Sequence, residues 1–251
     1  MNFFEKVHRR LLRLRLRPIR VFCIHQVGDV FNPLTTYKCD WISTEAFKAS
    51  IRNLKKEYTF ISLPEAVNKL QNDSFRRGKF AVLTADDGYR CVLDVLPWLE
   101  QNNIPVTLFL NARYLDGQSC SPHILRLARK TDDGISEKEV SQDLYLTETM
   151  LKKMRTGMVL FASHGYEHLN ATKLNPEEFV DQIQKNVAFL KRYEGYIPFH
   201  AYTWGKHDAR KDAALKSMGI VPVYMDGQKN YNDAEAIHRE LLPLANKNVY
   251  K

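Results

Sequence analysis

Two carboxylates stand side by side in Thr84-Ala85-Asp86-Asp87-Gly88, directly after the apolar run Lys79–Thr84. Such a pair can divide the work of a hydrolytic site, with one carboxylate as metal ligand and the other as general base. Asp-Asp-Gly is also an ordinary turn sequence. The apolar run before it and a helical pattern after it are what point to chemistry. Ser163-His164-Gly165-Tyr166-Glu167-His168 follows a second apolar run, Gly157–Ala162. Histidines four apart meet on one face of a helical turn, a spacing used for divalent metal ligands. The bland alternative is a pair of surface or capping histidines. With one aspartate they would form a 2-His-1-carboxylate set, which leaves metal positions open for water and substrate. His25, in Cys23-Ile24-His25-Gln26, closes the first apolar run. A lone histidine is more often structural, but a strand end makes this one a candidate acid or base. The fourth point is Ala201-Tyr202-Thr203-Trp204-Gly205-Lys206-His207-Asp208. Gly205 permits a tight turn, Asp208 suits a helix N-cap, and backbone amides between them can face an oxyanion. Read blandly, it is a loop between a strand and a helix.

All four points must sit at strand ends, and the chain alternates strands and helices in the required way. Strands are predicted over Arg20–His25, Tyr58–Leu63, Lys79–Thr84, Pro105–Leu110, Gly157–Ala162, Phe199–Thr203, Ile220–Met225 and Ile237–Leu242. Helices are predicted over Ser43–Glu57, Pro64–Leu70, Arg90–Asn102, His123–Arg129, Thr147–Arg155 (capped by Thr147), Pro176–Tyr193 and Ala209–Met218. Alternation of this kind gives a parallel α/β sheet. About seven units fit a closed barrel or an open sheet, and in either the chemistry gathers beyond the strand ends. Residues 116–146 are polar and read as a possible insertion.

At 251 residues, with 44% hydrophobic and 26% charged residues, the chain suits one large globular domain. That excludes a disordered, collagen-like or disulfide-scaffold chain, and no run approaches the ~20 apolar residues of a membrane span. The net charge of +8 is concentrated: residues 1–20 hold seven basic residues and one acid, leaving +2 on the other 231. No nucleic-acid partner is therefore expected. Residues 1–19 form a basic amphipathic segment, with Phe3, Val7, Leu11 and Leu14 on one helical face, ahead of a single domain over 20–251. Arginines interrupt its leucines, so it lacks the apolar core of a secretory signal. Residues 1–17 suit peripheral contact with an anionic membrane, or packing on their own domain or on another copy. Cys23, Cys39, Cys91 and Cys120 form no Cys-x-x-Cys pair, so cysteine-based zinc or redox motifs are not indicated. A cytoplasmic protein with free thiols is the expectation, held at most peripherally at the inner membrane face.

The four points together resemble the polysaccharide deacetylases (NodB-homology, carbohydrate esterase type). Thr84-Ala85-Asp86-Asp87-Gly88-Tyr89 resembles their T-F-D-D-G motif, and His164-x-x-x-His168 their H-[ST]-x-x-H motif. Ala201–Asp208 stands where many members have an F-A-Y-P-Y-G-x-Y-D-like sequence. Phe22-Cys23-Ile24-His25-Gln26-Val27 is similar to the Y-H-x-[IV] signature of the exopolysaccharide de-N-acetylase branch, in which an early histidine replaces a late one. Trp41–Leu110 follows that branch's order of elements, and the resemblance spans about residues 20–245.

The resemblance implies a distorted (β/α)-barrel of about seven parallel strands. It implies that Asp87, His164 and His168 bind a divalent metal, zinc above all. Asp86 would be the base that activates the attacking water, the Trp204 backbone N–H would help hold the oxyanion, and His25 would protonate the leaving amine. The substrate would be an N-acetylated sugar in a glycan or lipid-linked precursor, with acetate released. An amide is a poor electrophile with a poor leaving group, so its hydrolysis needs a Lewis acid, a base and an acid together.

The sequence also departs from the family. Ala85, Gly165 and Thr203 replace the usual aromatic, Ser/Thr and proline. The arginine that other branches use in the third motif to hold the catalytic aspartate is absent there, with His200 the nearest polar substitute. Arg239 resembles a late family arginine, and His238 competes with His25 as the acid. Metal ligands and base are intact, so an active enzyme is expected. The alternatives are a decayed carbohydrate-binding or scaffold protein of glycan biosynthesis, or an O-deacetylase.

Overall fold

The computed structural model describes residues 17–29, 41–72 and 78–244. The ten strands there are β1 (Arg20–Ile24), β2 (Gln26–Val27), β3 (Trp41–Ile42), β4 (Thr59–Phe60), β5 (Phe80–Ala85), β6 (Val106–Leu110), β7 (Val159–Ser163), β8 (Tyr196–Ala201), β9 (Val221–Met225) and β10 (Ile237–Leu241). The helices are α1 (Thr44–Lys55), α2 (Leu63–Asn72), α3 (Leu96–Gln101), α4 (Pro122–Ala128), α5 (Glu137–Leu144), α6 (Glu148–Leu151), α7 (Pro176–Leu190) and α8 (Ala209–Ser217).

Parallel neighbours run β5-β6-β7-β8-β9-β10-β1, and β1 then returns to β5 with Val21 opposite Val82 and Ile24 opposite Ala85. Seven parallel strands thus close into a barrel, the (β/α) architecture expected. Parallel pairs cannot be joined by tight hairpins, which is why helices intervene. The predicted strand at Tyr58–Leu63 forms only over Thr59–Phe60. It lies outside the ring, paired with the start of β5 through Thr59 opposite Phe80.

Side-chain alternation along the strands divides the core in two. Val21, Val82, Phe109, Ala162, Phe199, Val223 and Ile237 cluster inside the barrel. Phe22, Leu83, Leu108 and Phe161 pack outward against Phe47 and Ile51 of α1, Leu99 of α3 and Leu190 of α7. Local signals set the helix starts. The Ser43 hydroxyl accepts from Ala46 N ahead of α1, Asn175 and Glu178 form a reciprocal capping box on α7, and the Asp208 carboxylate accepts from Arg210 N ahead of α8.

Two helical predictions are corrected. Arg90–Asn102 is split into a 3-10 turn over Arg90–Asp94 and α3, with Pro97 in the first turn of the second piece, where its missing N–H is harmless. Thr147–Arg155 shrinks to α6, and Thr147 makes no side-chain cap. Residues 116–146 carry α4 and α5 and pack a small core of Ile124, Val140, Leu144 and Tyr145, which also takes in Tyr89 and Tyr114. Among the described residues Cys23, Cys91 and Cys120 are free thiols, and no helix is long and apolar enough to cross a membrane. Cys39 and the basic residues 1–16 lie outside the described residues, and the expected membrane contact lies with them.

Candidate active site

Asp86 and Asp87 part ways at the end of β5. Asp86 continues the strand alternation from Thr84 and turns to Arg239 of β10. The guanidinium grips both carboxylate oxygens, Nη1 at 2.7 Å from Oδ1 and Nη2 at 2.8 Å from Oδ2. Nη1 also donates to Thr84 Oγ1 at 3.0 Å, and the Thr84 hydroxyl donates to the Phe22 carbonyl. The guanidinium carbon stands 4.9 Å from the centroid of the Phe109 ring, and both partners of the ion pair are buried. Burial alone would raise the Asp86 pKa. The Arg239 charge and its hydrogen bonds, with the His164 charge, outweigh burial and hold the carboxyl at about 2.

Asp87 takes φ +69, followed by Gly88 at φ +70. This left-handed pair swings the second carboxylate away from the first and towards the histidines. Asp87 Oδ1 is 3.1 Å from His164 Nε2 and 3.1 Å from His168 Nε2. The contact lacks hydrogen-bond geometry, and Oδ1 is buried without a hydrogen-bond partner. His164 Nδ1 lies 2.8 Å from the Ala201 carbonyl, which can only accept. That nitrogen is therefore the protonated one, and Nε2 keeps its lone pair for a metal. An orphaned carboxylate oxygen facing two imidazole nitrogens fits a divalent cation. Burial would raise the Asp87 pKa, but the His168 charge and the close approach of both imidazoles place it well below the usual carboxylate range.

The two histidines do not share a helical face, contrary to the spacing argument. Residues 164–168 form a loop, with Gly165 at φ +78 and His168 at φ +54. The loop is pinned from three sides. Asn111 Nδ2 donates to the carbonyls of His164 and Gly165 at 2.7 and 2.9 Å. Tyr114 OH donates to the Glu167 carbonyl at 2.8 Å, and Gln182 of α7 bonds both the Glu167 amide and carboxylate. The Thr203 hydroxyl donates to the Leu169 carbonyl.

Asp86, Asp87, His164, His168, His25 and Trp204 all line one cleft of about 510 Å³. His25 brings a ring nitrogen within 4.8 Å of ligand atoms of both Asp86 and Cys23. His238 does not line the cleft; its Nδ1 is 2.8 Å from Asp226 Oδ2. His200 is not the partner of Asp86 either. It lies 3.1 Å from Ser163 Oγ, and burial, with the charges of His164 and Arg239, pushes its pKa down to about 3. Arg239 fills that role from β10. The sequence offers a partial signal for it, an arginine in a short apolar run ending at the cleft. It offers none for the opposite wall, which Ser121, His123, Ile124 and Tyr145 supply from the 116–146 segment.

The polysaccharide deacetylase family model matches residues 74–223, more than half of the chain. The chain belongs to that family. Its fold is like that of IcaB from Ammonifex degensii, with a TM-score of 0.72 at 20% identity over 90% of this chain and 92% of that one. It is also like Streptococcus pyogenes deacetylase PplD, with a TM-score of 0.71 at 16% identity over 91% and 94%. A de-N-acetylase from Aggregatibacter actinomycetemcomitans superposes with a TM-score of 0.65 at 18% identity over 91% and 96%. No curated protein matches the chain.

The residues in which this chain departs from the usual family motifs have clear places. Ala85 is buried in the shell between strands and helices. Gly165 occupies a left-handed position, and no atom lies within 4 Å of where a Cβ would stand. Thr203 ties the third-motif loop to the histidine loop. Trp204 is itself left-handed, at φ 60 and ψ 11, and its ring centroid lies 5.3 Å from that of His168.

Proposed function

We propose that the chain is a metal-dependent hydrolase that removes the N-acetyl group from a sugar of a glycan or lipid-linked glycan precursor, giving acetate and a free amine. The convergence of Asp87, His164 and His168 on a shared point, beside an aspartate held ionised, carries this reading. The family membership and the fold likeness to de-N-acetylases support it. A divalent cation held by these three side chains would supply Lewis acidity, and two imidazoles with a carboxylate suit zinc.

The chain's own residues divide the remaining work. Asp86 accepts a proton from the attacking water; Arg239 keeps its carboxylate deprotonated and fixes its orientation. His25, at the end of β1, protonates the departing nitrogen, without which an amide does not release its amine. The backbone N–H of Trp204 stabilises the oxyanion. Arg239 is a positioning residue, since it acts through Asp86.

The test is the metal content of wild type beside His164→Ala and Asp87→Ala, with acetate release from N-acetylglucosamine oligomers measured on the same samples. Near-stoichiometric zinc in wild type, lost in both variants, is expected. A wild type that neither contains nor takes up metal overturns the hydrolase reading and favours a decayed binding module.

A further inference from the structure

The cleft contains recognition groups that neither the metal site nor the packing uses. Its lining includes two carboxylates, Asp86 and Asp87, both engaged in the arrangements above. It includes two permanent cations. Arg239 is spent on Asp86, but the side chain of Lys206 is exposed and makes no hydrogen bond or ion pair among the described residues. On the opposite wall His123 lines the same cleft, and its Nε2 is buried without a hydrogen-bond partner. A buried polar atom left in this state is costly, so it marks a place where a partner belongs. Trp204 neighbours both Lys206 and His123, the one along the chain and the other in space. It precedes Lys206 by two residues, meets the His123 ring edge-on at 6.3 Å, and is 44% exposed. Its indole offers a flat apolar face to a sugar ring.

We propose that Lys206 and His123, grouped about Trp204, form an anion subsite. The substrate then carries a carboxylate or phosphate on the acetylated sugar or on its neighbour. This rests on the deacetylase reading and narrows its substrate class. A neutral glycan gains only a hydrogen bond to a hydroxyl from this ammonium, and none of the charge pairing that an anion gains. An anionic group gains a charge-assisted contact from Lys206 and a second hydrogen bond from the His123 ring. With a divalent cation on the triad the cleft is net positive, which favours the same partner.

The test is calorimetric binding to metal-loaded wild type, Lys206→Gln and His123→Ala, with acetate release assayed in parallel. The probes are N-acetylglucosamine, its 1-phosphate, and a disaccharide of glucuronic acid and N-acetylglucosamine. One or both anionic probes should bind wild type about tenfold more tightly than the neutral sugar, the size of one hydrogen bond to a charged group. Lys206→Gln should remove most of that advantage, and His123→Ala part of it. Which probe wins separates phosphate from carboxylate. Any attraction of anions to the metal survives in Lys206→Gln, so an advantage undiminished there overturns the subsite. Equal turnover of all probes with no binding preference leaves the deacetylase and removes the subsite. A Lys206-dependent preference without acetate from any probe does the reverse.

Discussion

The buried, bidentate Asp86–Arg239 pair joins the proposed base to a fixed charge inside the barrel. A bidentate pair between two buried groups is strong only while both partners are present. Arg239→Met leaves a carboxylate in the barrel interior with nothing to neutralise it, and should destabilise the protein by about 3–5 kcal/mol at neutral pH. The sign of the pH dependence follows from the lowered Asp86 pKa. Its contribution to stability is present above the unfolded value near 4 and is lost as pH falls towards about 2. Without Arg239, burial raises the variant's carboxyl pKa, so the gap between variant and wild type should begin to narrow above about pH 4 and keep narrowing as pH falls towards about 2. Urea unfolding of both proteins at several pH values measures this, and a gap that stays constant into acid would refute the assignment. Asp86→Asn complements it: acetate release should fall by about 10²–10⁴, the range for a general base, while bound metal stays near the wild-type level.

At the scale of elements, the histidine loop shows what spacing can and cannot reveal. The i, i+4 separation pairs His164 with His168, and Asp87 joins them because three such side chains at strand ends have few other places to meet. It points to the wrong backbone. Spacing implies a helical turn where Gly165 and His168 are left-handed, and the cause lies in bonds from Asn111, Gln182 and Thr203, all distant in sequence. The same limit hides the partner of Arg239, whose guanidinium reaches Asp86 only because β10 and β5 both flank β1 in the closed ring. Apolar runs and caps are local and therefore legible, though Thr147 stands at the N-cap of α6 without a side-chain bond. Gly165→Ser, which restores the family's usual residue, should destabilise the protein by roughly 1–2 kcal/mol, because a side chain at φ +78 is strained even in open space. Thr203→Val, losing the bond to Leu169, should cost about 1 kcal/mol in chemical denaturation and weaken metal retention, and Thr203→Ser should restore both. Unchanged stability in Gly165→Ser would show that the loop relaxes out of the left-handed form.

On the scale of the whole molecule, the proposed ligands follow two strands with a third between them. Asp87 follows β5, His164 and His168 follow β7, and β6 separates the two in the ring. His164 is also braced by the end of β8 through Ala201. A cation bound there would tie together neighbouring staves of the closed barrel, so its binding energy would add to the stability of the fold. At a free metal concentration of 1,000 times Kd the gain is about 4 kcal/mol. For a domain of this size each kcal/mol moves Tm by about 2–4 °C. Chelator treatment of wild type should therefore lower Tm by roughly 8–16 °C, and stoichiometric zinc should restore it. Asp87→Asn should melt at one temperature with or without chelator. Arg239→Met should start lower yet keep a chelator-induced drop, because its defect lies inside the barrel and its metal ligands are intact. Scanning calorimetry of the three proteins separates the two sources of stability, and a chelator shift of the same size in Asp87→Asn would place the metal somewhere other than this triad.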